Sequence, residues 1–302
     1  MLKIDINCKL NDKIVIALGF FDSLHIGHKE LISKCKKIAT NKNIKSAIFT
    51  FNNNPLAFFD SLAKEIFTYE EREFKLQKYN LDYIVSANFD NDFANLSPVS
   101  FFNILTTNFN IDTIIVGEDY TFGKNAKGDI LLLQELCDKA NIALYVASLV
   151  GDDFGKIASR DIREYLKAGK LQKANYYLGE PYFIIGVVNK GRGEGKKIGF
   201  PTINIKIDKQ KLIIKEGVYV TNTIVDGKKH LSITNVGAHP TFDDYNCNIE
   251  TYIIDFDSDL YNKKICVEFV LKIRDIKKFD SVEALKNQLT EDSEFAKKGE
   301  FL

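Results

Sequence analysis

The chain has 302 residues, 45% of them hydrophobic, which is ample apolar material for ordinary cores and suits two domains better than one. Its 41 basic and 41 acidic residues cancel, so no whole-chain field draws it onto nucleic acid or an anionic lipid surface. The polar N-terminus, the lack of a membrane-length apolar run and five scattered cysteines without a C-x-x-C pair predict a cytoplasmic protein with neither a zinc site nor a disulfide framework.

The first half of the chain alternates between apolar runs of strand type and helical patterns. Strands are predicted for the runs at residues 13–21, 46–51, 83–87, 111–117 and 143–150. Helices are predicted from residues 25–29 onward, over 69–79, from Ser97-Pro98 and over 129–140. Such alternation is typical of an α/β domain with a doubly wound parallel sheet, in which ligands bind at the carboxyl ends of the strands.

Two histidines follow the first of these strands, at the start of a predicted helix. His25 and His28 are three residues apart, so both rings lie on one side of the helix end. The unpaired N–H groups of a helix N-terminus favour phosphate, and an imidazole can donate a hydrogen bond to a phosphate oxygen as charge builds up. Residues 19–31 therefore predict a phosphate site. Two surface histidines at a helix cap are the alternative.

The pattern changes near Gly179-Glu180-Pro181, which predicts domains over residues 1–180 and 181–302. Two short helices precede this point, one over 159–167 and one ending near residue 178. Beyond it, strands are predicted at residues 183–188, 217–225, 230–236, 249–257 and 265–273. These short strands predict a small antiparallel β-barrel, followed by a terminal helix for which Asp280 and Glu283 resemble a capping box.

The histidine segment resembles a known family. Residues 25–28 are similar to the H-x-G-H signature of the nucleotidyltransferase superfamily, and the longer string G-x-F-D-x-x-H-x-G-H is similar to bacterial FAD synthetase. Residues 116–123 resemble the V-G-x-D/N-F-x-F-G segment of the same enzymes, with Tyr120 in place of Phe. The resemblance implies that His25 and His28 stabilise the transition state of adenylyl transfer. It also assigns ATP or FMN binding to Gly19, Phe21, Asp22, Gly27, Gly117 and Asp119.

The second half resembles riboflavin kinase. Residues 198–204 look like the L-G-F-P-T-A-N signature, and residues 235–242 match N-x-G-x-x-P-T-F. Glu250 falls where the family has its catalytic base, and a carboxylate can take the proton from the 5′-hydroxyl of riboflavin during phosphoryl transfer. The resemblance also implies that Thr202 and Asn204 hold Mg²⁺, whose shell ATP phosphates and water complete.

Further residues belong to the predicted kinase site. The resemblance assigns ATP or flavin binding to Gly191, Gly193, Gly199, Pro201, Asn235 and Arg274. The glycine-rich basic loop at residues 190–197 is weak evidence alone, because such loops are more often turns than phosphate cradles. For Arg274, as for Gln288 and Asp292 on the terminal helix, a packing role is an equal alternative.

Two segments match the adenylyltransferase pattern only in part. Ser159 and Arg163 match S-S-T-x-I-R and are predicted to bind ATP, but Ala158 and Arg160 replace a Ser and a Thr of that string. Asn53-Asn54 likewise departs from the family's F-x-P-H-P. These departures motivate one alternative, a riboflavin kinase with a weakened or inactive adenylyltransferase domain.

Taken over nearly the whole chain, the resemblance implies a bifunctional riboflavin kinase and FAD synthetase that uses ATP and Mg²⁺. Its small-molecule partners would be riboflavin, FMN, FAD and ATP, with no nucleic acid or membrane, in a monomer or a homo-oligomer. A more distant alternative is an RNA-binding barrel. Zero net charge and the lack of a basic and aromatic ladder disfavour it.

Overall fold

The computed structural model describes residues 1–148, 151–152, 155–190, 195, 198–238 and 247–299. The chain forms two compact units, Met1–Ser159 and Arg160–Leu302. The second unit thus begins earlier than residue 181, so that the predicted helix ending near residue 178 belongs to it.

The first unit is built on a six-stranded parallel sheet. Its strands are β1 (Leu2–Asp5), β2 (Leu10–Leu18), β3 (Lys45–Phe51), β4 (Tyr83–Ala87), β5 (Phe109–Gly117) and β6 (Ala143–Ala147). They lie in the order β1-β4-β3-β2-β5-β6, and each neighbouring pair is parallel. The central strands are buried on both faces, as their continuous apolar runs predict. The doubly wound parallel sheet is therefore confirmed.

Helices cover the sheet. They are α1 (Ile26–Lys42), α2 (Pro55–Phe59), α3 (Tyr69–Leu76), α4 (Asn91–Ala94), α5 (Pro98–Asn108) and α6 (Ile130–Ala140). The predicted cap of α5 is confirmed, since Ser97 accepts a hydrogen bond from the N–H of Ser100. Asp129 caps α6 in the same way, by accepting a hydrogen bond from the N–H of Leu132. Proline stands at the first position of α5, where its missing N–H costs nothing.

Some strand predictions in this unit are wrong at their ends. β2 stops at Leu18 rather than at residue 21, because the chain turns there and Phe21 takes a positive φ of 56°. β6 stops at Ala147, short of residue 150. Strand β1 was not predicted, because an exposed edge strand of four residues lacks the apolar run that marks a buried one.

Two short antiparallel strands of two residues each and two helices follow. They are β7 (Gly151–Asp152), β8 (Gly155–Lys156), α7 (Ser159–Lys167) and α8 (Leu171–Leu178). The predicted bounds of α7 are confirmed, and Gly169 after it has a positive φ of 74°. Asn175 on α8 accepts a hydrogen bond from the N–H of Tyr182 and donates one to the carbonyl of Phe269, which fastens this helix to the barrel.

The barrel of the second unit is closed and antiparallel. Its strands are β9 (Tyr182–Asn189), β10 (Thr202–Lys206), β11 (Gly217–Val225), β12 (Lys228–Ala238), β13 (Cys247–Ile253) and β14 (Lys264–Arg274), in the order β10-β13-β12-β11-β14-β9. Pairing of β9 with β10 closes the ring. Asp226 and Gly227 both have positive φ, as expected for the two-residue turn between β11 and β12. The predicted barrel is confirmed.

Two details of the barrel differ from the sequence prediction. β13 ends at Ile253 rather than at residue 257, since Asp255 takes a positive φ of 55°. The terminal helix α9 (Val282–Lys298) is capped by Ser281, whose side chain accepts from the N–H of Ala284. The predicted capping box of Asp280 and Glu283 is therefore wrong by one residue.

A chain of buried hydroxyl groups runs across three neighbouring barrel strands, where apolar side chains are usual. Its members are Thr221, Thr223, Ser232, Thr234 and Thr251, linked by hydroxyl contacts of 2.8–2.9 Å. Ser232 donates its proton to the carbonyl of Thr221. Each remaining hydroxyl has a single proton, so Thr251 donates to Thr234, Thr234 to Thr221, and Thr221 to Ser232.

Candidate active sites

Two loops flank the point at which the strand order of the parallel sheet reverses. β2 and β5 are neighbours there, but β2 is followed by strands on one side of the sheet and β5 by a strand on the other. The loop after β2 contains residues 19–25, and the loop after β5 starts beyond Gly117. Ligands of doubly wound sheets bind in this crevice. Both predicted motifs of the first unit thus lie at the same edge of the sheet.

The two histidines are stacked at the N-terminus of α1. Nδ1 of His25 accepts a hydrogen bond from the N–H of His28 at 3.2 Å. The ring centroids are 3.8 Å apart and the ring planes 13° from parallel, and the edge of Phe21 meets the His28 ring at 5.2 Å. Because Nδ1 of His25 is an acceptor, its Nε2 carries the proton of the neutral ring.

Burial keeps this pair uncharged. Burial lowers the pKa of His25 to about 4. It also lowers the pKa of His28 well below its ordinary value, and the neighbouring His25 ring adds to this shift. Nδ1 of His28 is buried and, within the part of the chain that the structure describes, has no hydrogen-bond partner. At pH 7 the site therefore presents two neutral imidazoles, one of them with a ring nitrogen whose hydrogen bond is unmade.

The loop that leads into the histidines is tightly restrained. A side chain at Gly19 would bring its Cβ to 3.0 Å from the ring of Phe21, so the ring would have to shift by a few tenths of an ångström to admit one. Asp22 is buried, and its Oδ1 accepts a hydrogen bond from the N–H of Ile66 at 2.8 Å. The hydroxyls of Ser23 and Ser159 are 2.9 Å apart, which brings the predicted Ser159 to this loop. Gly27 lies in the first turn of α1.

The second loop holds the other predicted residues of this unit. Gly117 ends β5, and a Cβ there would lie 3.1 Å from Oδ1 of the exposed Asp119. Tyr120 stacks on Phe122, with ring centroids 5.8 Å apart, and burial raises the pKa of its hydroxyl. Arg163 lies on α7, in the second compact unit.

Asn53 and Asn54, which depart from the family motif, both make hydrogen bonds to the backbone. Asn53 exchanges two hydrogen bonds with the backbone of Phe89, through its Oδ1 at 2.7 Å and its Nδ2 at 3.0 Å. Asn54 caps α2 and donates to the carbonyl of Ala63. Both residues therefore hold the segment after β3 in place.

Sequence reasoning missed a group of aromatic rings at the ends of β3 and β4. Phe51 makes edge contacts with Phe89 and Phe93, at 5.2 and 5.1 Å, and Phe89 meets Phe58 at 5.4 Å. Phe59 beside them is 76% exposed. Such rings can stack on a planar ligand. Only a tertiary contact joins them, although the Phe-rich segments were visible in the sequence.

In the barrel, Glu250 is centred in a row of three polar residues. On β13 it lies directly opposite Asn204 of β10 on one side and Asn235 of β12 on the other. Side chains directly opposite in an antiparallel sheet have their Cβ atoms about 4.5–5.5 Å apart. Thr202 is opposite Tyr252 in the next row on the same face, because side chains alternate along a strand. The structure thus brings together the predicted base, the two predicted metal ligands and Asn235.

The approach to this row is shaped by glycine. A Cβ at Gly195 would lie 2.3 Å from the carbonyl oxygen of Phe200 and 3.4 Å from Oγ1 of Thr202. Gly199 has a positive φ of 89°, with open space around the position of a Cβ. Pro201 is exposed. The predicted Gly191 and Gly193, and residues 239–242 of the second kinase motif, lie outside the described residues.

Arg274 has a partner within the barrel unit. Its Nε donates to both carboxylate oxygens of Asp292 and its Nη2 donates to Oδ2 at 2.7 Å. Asp292 is buried on α9 and also accepts from Gln288. This network connects α9 to the end of β14. The predicted contact of Arg274 with ATP or flavin stays a prediction.

The two compact units correspond to two transferase families. The family model for FAD synthetase matches residues 8–161, and the model for riboflavin kinase matches residues 178–299. The chain belongs to the family of bifunctional riboflavin kinases/FMN adenylyltransferases.

Relatives named for both activities match along most of their length. The bifunctional riboflavin kinase/FMN adenylyltransferase of Listeria monocytogenes is 33% identical over 285 residues, covering 93% of this chain and 90% of the relative. That of Bacillus subtilis is 32% identical over 290 residues, covering 94% and 92%. A crystal structure described as a macrolide-efflux protein from Streptococcus pneumoniae is 31% identical, has a TM-score of 0.89, and covers 98% of this chain and 99% of that one.

The protein phosphorylates riboflavin with ATP to FMN, and adenylylates FMN with ATP to FAD, releasing pyrophosphate. ATP is thus the co-substrate of both reactions. Both family models match, which gives no support to the alternative with a weakened or inactive adenylyltransferase domain. Among the described residues, no helix combines the length and the apolar character needed to cross a membrane.

Proposed function

We propose that each reaction has its own set of residues: FMN formation at the Glu250 row of the barrel, and FAD formation at the loop before α1. The observation that carries the kinase assignment is the row itself, in which a carboxylate is flanked in register by two amide side chains. We assign residues 1–180 and 181–302 to these two functions; the compact units differ from this division in placing residues 160–180 with the barrel. Since ATP serves both reactions, we place the enzyme in the cytoplasm.

In the kinase reaction, Glu250 takes the proton of the riboflavin 5′-hydroxyl as its oxygen attacks the γ-phosphate of ATP. Asn235, opposite Glu250, orients the reacting groups. Binding of ATP or flavin is assigned to Gly191, Gly193, Gly199 and Pro201 through their motifs. Arg274, at the end of β14, is assigned to the binding of ATP or flavin.

The neutral oxygens of Thr202 and Asn204 fit a magnesium site. The two residues share one face of β10, and Asn204 is opposite the carboxylate of Glu250. Mg²⁺ is bound through few protein oxygens when phosphates and water complete its shell. When bound, the ion neutralises charge on the transferred phosphoryl group.

In the adenylyl reaction, the phosphate of FMN attacks the α-phosphate of ATP and pyrophosphate leaves. The Nε2–H of His25 donates to a phosphate oxygen, and the backbone N–H groups at the start of α1 face the same charge. His28, stacked on His25, is assigned to stabilise charge in the same transition state. Neutral imidazoles suit this role, because they donate without giving up a proton.

The remaining predicted residues bind the nucleotide and the flavin. Gly117 and Asp119 border the same crevice after β5. The hydroxyl of Ser159 contacts that of Ser23 in the loop before α1. Arg163 is assigned to ATP by its motif. The aromatic group around Phe51 and Phe89 is a surface on which a planar ring can stack.

Titration of the kinase reaction with Mg²⁺ tests the metal assignment. For Asn204→Ala we expect a rise of about tenfold in the Mg²⁺ concentration that gives half the maximal rate, because one ligand oxygen is lost. The matched control is Asn222→Ala, on β11 and outside the row, which should behave as the wild type. An unchanged Mg²⁺ dependence in Asn204→Ala would contradict the assignment.

A further inference from the structure

The first unit contains a buried arginine that belongs to none of the sequence motifs. Arg72 on α3 is fully buried. Its Nη1 donates to the carbonyl of Phe20 at 2.8 Å and lies 2.7 Å from Oγ1 of Thr50. Its Nη2 donates to the carbonyl of Phe51 at 2.9 Å and to Oε1 of Glu65 at 3.0 Å. One guanidinium thus connects the loop after β2, the end of β3 and the segment before α3.

This placement is costly for the protein. Burial of a guanidinium removes it from water, and the charges of Glu65 and Asp22 offset this cost only in part, since burial still lowers the pKa of Arg72. Nε of Arg72 is buried and has no hydrogen-bond partner among the described residues. An apolar side chain would avoid this desolvation, but it would remove the hydrogen bonds to the carbonyls of Phe20 and Phe51 and to Glu65. The contacts of Arg72 must therefore provide something other than burial.

What these contacts fix is a loop in an unfavourable backbone conformation. Phe21 and Leu24 have φ values of 56° and 47°, which residues with a Cβ rarely adopt. Such conformations persist where the surroundings impose them. The carbonyl of Phe20 accepts hydrogen bonds from both Arg72 and Thr50, and Asp22 accepts from the N–H groups of residues 66 and 67. Phe21 is thus held from both sides.

The same loop sets the histidine pair. Leu24 directly precedes His25, the N-cap of α1, and the ring of Phe21 lies against His28. A shift of the loop therefore changes the position of both rings and their burial. Displacements of about 1 Å can cost a hundredfold in rate when reacting groups must be aligned.

We propose that Arg72, paired with Glu65, is a positioning residue for adenylyl transfer, which holds the loop of residues 19–25 so that His25 and His28 meet the phosphates. It touches neither substrate. The inference rests on the proposed assignment of FAD formation to this histidine pair.

The test measures both half-reactions on the full chain. The variants are Arg72→Met and the double variant Glu65→Gln with Arg72→Met, which removes both charges of the ion pair. We expect kcat for FAD formation from FMN to fall about a hundredfold, with a smaller change in the KM for ATP. The kinase reaction of the same polypeptide, which should stay within about twofold of the wild type, is the internal control.

Three readouts separate positioning from loss of stability. Leu105→Ala removes a buried side chain of α5 from the core and should keep kcat for FAD formation. Arg72→Ala should regain activity with guanidinium ion, at concentrations that leave the protein folded, but not with ammonium ion. In NMR titrations of Arg72→Met, the pKa of His25 should rise toward 6.5 as the loop relaxes.

His28→Ala separates the positioning role of Arg72 from the assignment of FAD formation to the histidine pair. If His28→Ala abolishes FAD formation but Arg72→Met keeps kcat, the positioning role is refuted and the histidine assignment stands. A loss in Arg72→Met that Leu105→Ala reproduces and guanidinium does not rescue also refutes positioning. If His28→Ala itself keeps FAD formation, the proposed site is wrong, and the inference falls with it.

Discussion

Lowering the pH from 6.5 to 4 should destabilise the first unit through His25. Burial holds the pKa of His25 at about 4 in the folded chain, against an ordinary value of 6.5. In this window the unfolded chain binds a proton that the folded chain does not, so stability is fully present above pH 6.5 and falls as the pH drops toward 4. The difference between the two values corresponds to about 3 kcal/mol. His28, whose pKa burial also lowers, adds to the loss.

Urea unfolding of the wild type and of His25→Gln across this pH range measures the effect. Carboxylates titrate in both proteins, so the difference between the two curves isolates the histidine. The wild type should lose about 3 kcal/mol more than the variant between pH 6.5 and 4. NMR titration of the ring gives the pKa directly. Equal pH dependence in both proteins, or a His25 ring that titrates near 6.5, would refute the reasoning.

Two further predictions concern the barrel unit. Asp292→Ala should destabilise the barrel unit by about 3 kcal/mol, because Arg274 remains mostly buried without its carboxylate partner. Denaturant unfolding measures this loss. Adding Arg274→Met to the variant should recover most of it. If the double variant were no more stable than Asp292→Ala, the ion pair would not be the cause. Thr234→Val keeps the shape but interrupts the hydroxyl chain between Thr221 and Thr251, so thermal unfolding should reveal a loss of about 1–3 kcal/mol. A neutral or stabilising result would show that the chain of hydroxyls is dispensable.

Local sequence signals predicted most of the fold. The central strands β3 to β5 were visible because a strand covered on both faces is apolar throughout. The start of α5 was visible because Ser97 satisfies a backbone N–H group through its own side chain. The start of α6 was visible from the helical spacing of its apolar residues. These signals depend on residues adjacent in the chain.

Interactions between distant residues were not predictable in the same way. The pairing of Glu250 with Asn204 and Asn235 depends on strand register, which tertiary pairing sets. The ion pair of Arg72 with Glu65 joins residues seven apart that no motif connects. A charged residue in an amphipathic helix is usually exposed, so sequence alone gave no reason to place Arg72 inside.

The most direct test asks whether each reaction depends on its own active site. The measurement is a pair of assays, FMN from riboflavin and FAD from added FMN, on Glu250→Gln and His28→Ala. Glu250→Gln should abolish FMN formation and keep FAD formation, since an amide cannot accept the proton. His28→Ala should do the reverse. Loss of both reactions in either variant, with the fold intact, would contradict the assignment of one reaction to each site.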